Sequence, residues 1–241
     1  MTDEKIHATV QNYYAEKAKT GASCCGPNNL YPENLISDLP VGVADFSLGC
    51  GDPITLAGLQ PGETVLDLGS GGGLDCFLAA KAVGPDGHVI GIDMTPEMIQ
   101  RARQAAEKMN AANVEFRQGF LEALPVDENS IDTVISNCVI NLSPDKSIVL
   151  GEVYRVLKPG GRIAISDIVS AGEIPQDILE MQDSWSSCAA GALPVEQLRG
   201  ILDEQGFQDI QIKALGEDNT PLGDFLAAPL FSALISAQKP E

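Results

Sequence analysis

A chain of 241 residues, 44% of them hydrophobic, is long enough for one large α/β domain with a sizeable core and does not require a two-domain split. Its 34 acidic and 15 basic residues leave a formal net charge of -19, which argues against nucleic acid or an anionic membrane as partner. No apolar run approaches the roughly 20 residues of a membrane span, and the N-terminus Met1-Thr-Asp-Glu-Lys-Ile-His7 lacks a signal-peptide core, so the expectation is a cytoplasmic protein.

Residues 2 to 19 are mostly charged and helix-forming, with Tyr13-Tyr14 and spaced alanines giving a weak apolar stripe. They predict a helix laid over the fold. Residues 20 to 53 are rich in Gly, Pro, Asn and Ser and hold Cys24-Cys25 and Cys50, the pattern of ordered loop with short helical turns. Residues 1–60 are thus expected to pack as an N-terminal helix and cysteine loops on a main domain of residues 61–241.

Thr64 to Leu68 is a short apolar run with one acid, Asp67, inside it. The glycine-rich turn Gly69-Ser-Gly-Gly-Gly73 and a helical pattern from Leu74 to Ala82 follow at once, which reads as strand, tight turn, helix. Glycines there let the backbone pass close to a ligand of nucleotide type. The turn has no Gly-Lys-Ser/Thr ending, so it is not a phosphate-cradling loop, and Leu74 replaces the third glycine of G-x-G-x-x-G, which argues against NAD and FAD. A second strand, His88 to Ile92, leads into Asp93, at about the 20-residue separation from which an acid reaches ribose hydroxyls.

Thr95 is placed to cap the next helix, with Pro96 at its first position and its end near Asn110. A third strand is expected at Asn113 to Arg117 and a fourth at Ser130 to Ser136. The helix Asp145 to Leu157 ends at Lys158-Pro-Gly-Gly161, and Arg162 to Ile168 is the fifth strand. A less regular insertion, 169–193, carries Trp185 and Cys188 before the helix Val195 to Gln205. Gln208 to Leu215 and Leu230 to Gln238 read as a closing pair of strands, with Pro221 and Gly223 between them. This alternation predicts a doubly wound, mainly parallel sheet.

The six cysteines of a cytosolic chain are read as reduced thiols, metal ligands or reactive groups and not as a disulfide framework. Cys76, between Asp75 and Phe77 on a packing face, is read as a small buried hydrophobe. Cys138 follows Asn137 just past the fourth strand, at the carboxyl edge where α/β folds bind ligands. Cys50 lies between two glycines and Cys188 precedes Ala-Ala-Gly-Ala, backbone that a ligand can approach. Cys24-Cys25 reads equally as a redox pair, a capturing arm or a vicinal pair that arises by chance. His7 and His88 are isolated in the sequence and are read as having no functional role. The chain has neither Cys-x-x-Cys nor clustered histidine, so zinc is not expected.

Asp67, the glycine turn and Asp93 closely resemble class I S-adenosylmethionine-dependent methyltransferases. Asp93-Met-Thr-Pro-Glu-Met98, Leu124-Pro125 and Glu152-Val-Tyr-Arg-Val-Leu-Lys-Pro-Gly-Gly-Arg162 are common to many that act on small molecules, quinones and sterols included. The narrower signal is Ser136-Asn-Cys-Val-Ile-Asn-Leu-Ser-Pro-Asp-Lys146, with Leu48-Gly-Cys-Gly51 upstream and Ser187-Cys-Ala-Ala-Gly-Ala192 downstream. Together these resemble the arsenite methyltransferase family over essentially the whole chain.

That resemblance implies a Rossmann-like, mainly parallel seven-stranded sheet whose last two strands form an antiparallel hairpin, with a lid-like insertion after strand five. It implies methyl transfer to trivalent arsenic held by Cys50, Cys138 and Cys188, with Cys24 or Cys25 as accessory thiol, in arsenic detoxification. The cofactor site it implies is Asp67, Leu68, Gly69, Ser70, Gly71, Asp75, Asp93, Met94, Gly119, Phe120 and Asn137. Arsenic(III) is soft and selects thiolate, and three cysteines suit its three bonds. Partners are then a small-molecule arsenical and an external thiol such as glutathione, or thioredoxin, as reductant, and a monomer is expected.

Two departures stand out. Phe120 occupies the place where many class I methyltransferases carry an acid for the adenine amine, which leaves a backbone carbonyl, Glu122 or stacking on the Phe120 ring to hold the base. The chain also ends soon after the last expected strand. Two other readings remain open: a methyltransferase for a quinone or sterol, which leaves the cysteines unexplained, and a thiol-based arsenic-binding protein, against which the intact Asp67 to Asp75 and Asp93 motifs argue.

Overall fold

A computed structural model describes residues 2–20, 31, 36, 39, 43, 49, 51–174, 185, 190–215 and 230–241. Cys24, Cys25, Cys50 and Cys188, most of the 20–53 loop and of the 169–193 insertion, and the Pro221–Gly223 loop lie outside the described residues.

The sheet is built outward from β1 (Thr64–Leu68), which pairs in parallel with β2 (His88–Asp93) on one side and β4 (Ile131–Asn137) on the other. With β3 (Val114–Gln118), β5 (Leu157–Ser170), β7 (Gln208–Ala214) and β8 (Leu230–Gln238), the order is β3-β2-β1-β4-β5-β8-β7. The first five of these run parallel, whereas β8 is antiparallel to both β5 and β7. The expected doubly wound sheet with an antiparallel closing pair is therefore the observed one.

Among the described residues the sheet has eight strands and not the expected seven, because the two-residue β6 (Leu193–Pro194) pairs with the end of β5. Strand β5 is also longer than Arg162 to Ile168. At its start Leu157 pairs with Ile131 across an irregularity in register, and at its end Ser170 is held by both Leu230 and Pro194. Partners on both sides keep the backbone extended, so the insertion begins after Ser170.

The residues of β1 alternate between two apolar layers, as the pleat requires. Leu66 and Leu68 join the layer that holds Val149, Leu150 and Val153 of α5 (Lys146–Val156) and Leu198 and Leu202 of α6 (Val195–Gln205). Val65 joins the layer that holds Phe77 and Leu78 of α3 (Leu74–Val83) and Ile99 and Ala102 of α4 (Pro96–Met109). The side of the helices switches between β1 and β4, which opens a crevice at their carboxyl ends.

Two helix starts differ in how they are closed. Asp145 accepts the Ile148 amide at 3.1 Å and caps α5 as a short acid should. Thr95 makes no side-chain cap for α4; instead the Asp93 carboxylate accepts the Thr95 amide at 2.8 Å. The expected threonine cap is thus replaced by an acid that already faces the crevice. Over the same edge lies α1 (Asp3–Thr20), whose buried Ile6 and Val10 pack with Cys138 and Leu142, and whose Gln11 donates to the Met94 carbonyl at 2.8 Å. The short helix α2 (Pro53–Ala57), capped by Asp52, joins this N-terminal part to the core. Among the described residues no helix is long and apolar enough to cross a membrane.

Candidate active site

The turn after β1 folds as its glycines demand. Gly71 has φ 50, and its amide donates to Asp93 at 3.0 Å. Gly69 has φ 66, and a Cβ there would collide with the Val139 side chain. No other residue type meets both conditions at Gly69 without strain.

The turn forms one wall of a cavity, and Asp67, Ser70, Asp75, Met94, Gly119, Phe120, Asn137 and Cys138 line it with Gly69, Gly71 and Asp93. Ten of the eleven expected cofactor residues therefore converge. Leu68 does not: it is fully buried in the α5 and α6 layer, because successive side chains of β1 point to opposite faces and Asp67 has the side toward the cavity.

Three carboxylates face this space with little solvent. Asp67 is 2% exposed and accepts the Cys76 S–H at 3.1 Å. Asp75 takes the Tyr31 hydroxyl at 2.7 Å and the Asn137 amide at 3.1 Å. Burial pushes the carboxyls of Asp67, Asp75 and Asp93 above the usual range, and for Asp67 the charge of Asp75 adds to the effect. Among the described residues the lysine and arginine ion pairs lie elsewhere, at Glu63, Glu97, Asp132 and Glu152 for example. The lining of the cavity is thus acidic in composition. It also contains an unsatisfied polar atom, the buried Ser70 Oγ, which has no partner among the described residues.

Cys138 is 7% exposed, lies one residue beyond β4, and has φ 56, an uncommon left-handed conformation for a residue with a side chain. Its amide is fixed by the Ser166 carbonyl at 2.8 Å, and it is disulfide-bonded, which corrects the expectation of a reduced thiol at this position. Cys76 is free, fully buried and raised in pKa by burial and then by Asp67; it is the structural cysteine that its sequence context indicated.

His7 overturns the expectation of an uninvolved residue. It lines the cavity, its Nε2 lies 3.0 Å from Glu122 Oε1, and its ring is 5.1 Å from that of Phe120, which is 44% exposed. Ser143 Oγ donates to the same Glu122 oxygen. The available signal was the spacing of His7, Val10 and Tyr14, at i, i+3 and i+7 on one helix face; all three line the cavity. His88 pairs with Glu115, away from the site. Tyr31 was missed too, since nothing near it in sequence points to Asp75.

Residues 59–206 match the methyltransferase domain family. The arsenite methyltransferase of Halobacterium salinarum is 45% identical over 98% of this chain and 67% of its own length. That of Mus musculus is 39% identical over 85% of this chain and 58% of its own. The crystal structure of an arsenic(III) S-adenosylmethionine methyltransferase from Chlamydomonas reinhardtii superposes with a TM-score of 0.75 at 36% identity, covering 86% of this chain and 73% of that one.

The Rossmann-like sheet and the acid-lined crevice at its switch point are those of a class I S-adenosylmethionine-dependent methyltransferase. Within that class the chain belongs to the arsenite methyltransferase family. It spans about three fifths of the length of several of these relatives, 62% for that of Aquipseudomonas alcaligenes and 59% for that of Homo sapiens.

Proposed function

We propose that the protein transfers methyl groups from S-adenosylmethionine to trivalent arsenic held on cysteine thiolates, releasing methylated arsenicals. The observation that carries this reading is Cys138 in the wall of the same cavity as Asp67, Asp93 and the glycine turn. The residues fit the cofactor, whose sulfonium and ammonium are cations and whose hydroxyls and amino group suit Ser70 Oγ and the buried carboxylates. Asp93 would hold the ribose, Asp67, Gly69, Ser70, Gly71 and Asp75 the amino-acid end, and Met94, Gly119 and Phe120 the adenine. The exposed Phe120 ring offers a stacking surface, and Glu122 is engaged by His7 and Ser143. When bound, S-adenosylmethionine supplies an electrophilic methyl group on a sulfonium.

The chain's own task is to hold the acceptor. The thiols of Cys50, Cys138 and Cys188 exchange with the three hydroxyls of arsenous acid, forming three As–S bonds and releasing three waters. Holding the arsenic lone pair in line with the methyl is a positioning task, and no residue has to move a proton during transfer. Methylation takes arsenic formally from III to V; two thiols return it to III and become a disulfide. Cys138 is disulfide-bonded, so glutathione or thioredoxin must reduce it before arsenic binds, with Cys24 or Cys25 as the exchanging thiol.

The test is methyl transfer from labelled cofactor by the reduced protein, with arsenite and either reductant, followed by separation of the arsenic species. Label in methylated arsenic is expected. Label only in an added quinone, or arsenite binding without transfer, overturns the reading.

A further inference from the structure

We propose that Asn137 and Lys146 are positioning residues that seat the two other cysteine-bearing segments against Cys138. Asn137, next to Cys138, holds Gly51 and abuts Gly49 on either side of Cys50, and Lys146, nine residues after Asn137, lies over Trp185 and abuts Gly191 on either side of Cys188. The inference rests on the function proposed above and deepens it: the segment 137–146 supplies one arsenic ligand and the anchors for two more.

The residues on either side of Cys50 are both packed on the Asn137 carboxamide. Its Nδ2 donates to the Gly51 carbonyl at 2.9 Å and its Oδ1 accepts the Gly51 amide at 3.3 Å, the pairing that a neighbouring peptide would make. Gly49 lies on the same carboxamide so closely that a Cβ there would collide with it, while a Cβ on Gly51 would collide with Ser166 Oγ. Glycines flank Cys50 because the backbone must lie flush on this edge. Asn137 Nδ2 also donates to Asp75 at 3.1 Å, which links the same amide to the cofactor wall.

Lys146 does the equivalent on the other side. Its buried Nζ donates to the carbonyls of Ser143 at 2.7 Å and Asn141 at 3.3 Å, and lies 5.2 Å from the centre of the Trp185 ring, a cation–π contact. A Cβ on Gly191 would stand 2.9 Å from the same Nζ and would collide with the Asn141 carbonyl. Trp185 and Gly191 stand three residues before and three after Cys188, and Trp185 packs in the apolar cluster that contains Cys138.

The two anchors predict different losses. Arsenite takes three thiolates, whereas phenylarsine oxide, with one bond already to carbon, takes two. In the reduced protein, Asn137→Ala should weaken arsenite binding at least ten-fold more than phenylarsine oxide binding, because the Cys50 segment alone is released. Lys146→Met and Trp185→Ala should weaken both arsenicals at least ten-fold, and Lys146→Arg, which keeps a cation over the ring, should restore them. Binding is read by titration of each variant, with thermal melting as the check on folding. Equal losses for both ligands in Asn137→Ala, intact phenylarsine oxide binding in Lys146→Met and Trp185→Ala, or no restoration by arginine overturns the inference alone. Wild-type protein that binds neither arsenical overturns the proposed function and this inference together.

Discussion

The two halves of the cavity are assembled in opposite ways. The cofactor half is local: β1, the glycine turn, α3 and Asp93 lie within 30 consecutive residues, and their contacts follow from one strand–turn–helix unit and its parallel neighbour. The proposed thiol half is remote: Cys50, Cys138 and Cys188 come from three separated stretches, and among the described residues Asn137 holds the Gly51 backbone beside Cys50 while Lys146 lies over Trp185, three residues before Cys188. A local unit tolerates the loss of one contact because its backbone stays in place. A remote one depends on each clamp and each ligand, so substitutions on the thiol side should cost more activity and less stability.

The largest effect should come from Cys138→Ser, with transfer to arsenite and to monomethylarsenite both falling at least about 100-fold, a barrier increase of about 2.7 kcal/mol. Cys188→Ser should behave alike. Cys50→Ser should lose arsenite far more than monomethylarsenite, since a methyl group leaves arsenic only two bonds for thiolates. Parallel rate measurements on the two substrates decide this, and a Cys138→Ser variant active on both would break the comparison.

On the cofactor side, Asp93→Ala should weaken S-adenosylmethionine about 10- to 100-fold by calorimetry, or about 1.4 to 2.7 kcal/mol. The carboxylate holds the Gly71 and Thr95 amides as well as lining the cavity. Arsenite binding to the reduced variant should change less than three-fold, which sharpens the separation between the halves.

A smaller effect is expected from pH. The carboxyls of Asp67, Asp75 and Asp93 are raised by burial, so the stability they contribute is present below the ordinary carboxylate range and is lost as pH rises through their folded values. A bound cation favours their ionised forms, so the cofactor should raise the melting temperature more at about pH 7.5 than at about pH 5. Asp167, pushed up to about 6 by burial even though the Ile168 and Asn141 amides donate to it and pull the other way, has the same sign but does not line the cavity. Asp167→Asn should flatten the pH dependence of the ligand-free protein between about pH 4 and 6 and leave the cofactor-linked difference in place.

The same contrast explains what was legible in the sequence. The β1 turn, Asp93 and Cys138 could be placed at one crevice because their positions follow from spacing along the chain, and the strand ends of β1 and β8 were placed to the residue. Leu68 is the expected cofactor residue whose side chain turns away from the cavity, since membership of a motif does not decide which face of the pleat a side chain takes. Tyr31 was invisible because its partner, Asp75, lies 44 residues away, and His7, whose partner Glu122 lies 115 residues away, could be found only from its spacing with Val10 and Tyr14 on one helix face. The length of β5 and the existence of β6 depend on pairing across the sheet and not on local propensity.

The smallest effect should be at Cys76, where the cofactor half is stabilised without any thiol chemistry. Its sulfur is fully buried, donates to Asp67 Oδ2 at 3.1 Å, and fills the space beside Gly91, where a Cβ would lie 2.8 Å away. Serine keeps a donor for Asp67 but is smaller than cysteine, so Cys76→Ser should cost about 1 kcal/mol in chemical denaturation. Alanine leaves one side of a buried carboxylate without its donor, and Cys76→Ala should cost about 2 kcal/mol. Serine as destabilising as alanine, or more so, would show that the hydrogen bond to Asp67 contributes nothing at this position. Neither should lower arsenite methylation by more than about two-fold, since the residue touches Asp67 from behind and not from the cavity. A rate loss in Cys76→Ser comparable to that of Cys138→Ser would place this thiol among the arsenic ligands and erase the division between the two halves.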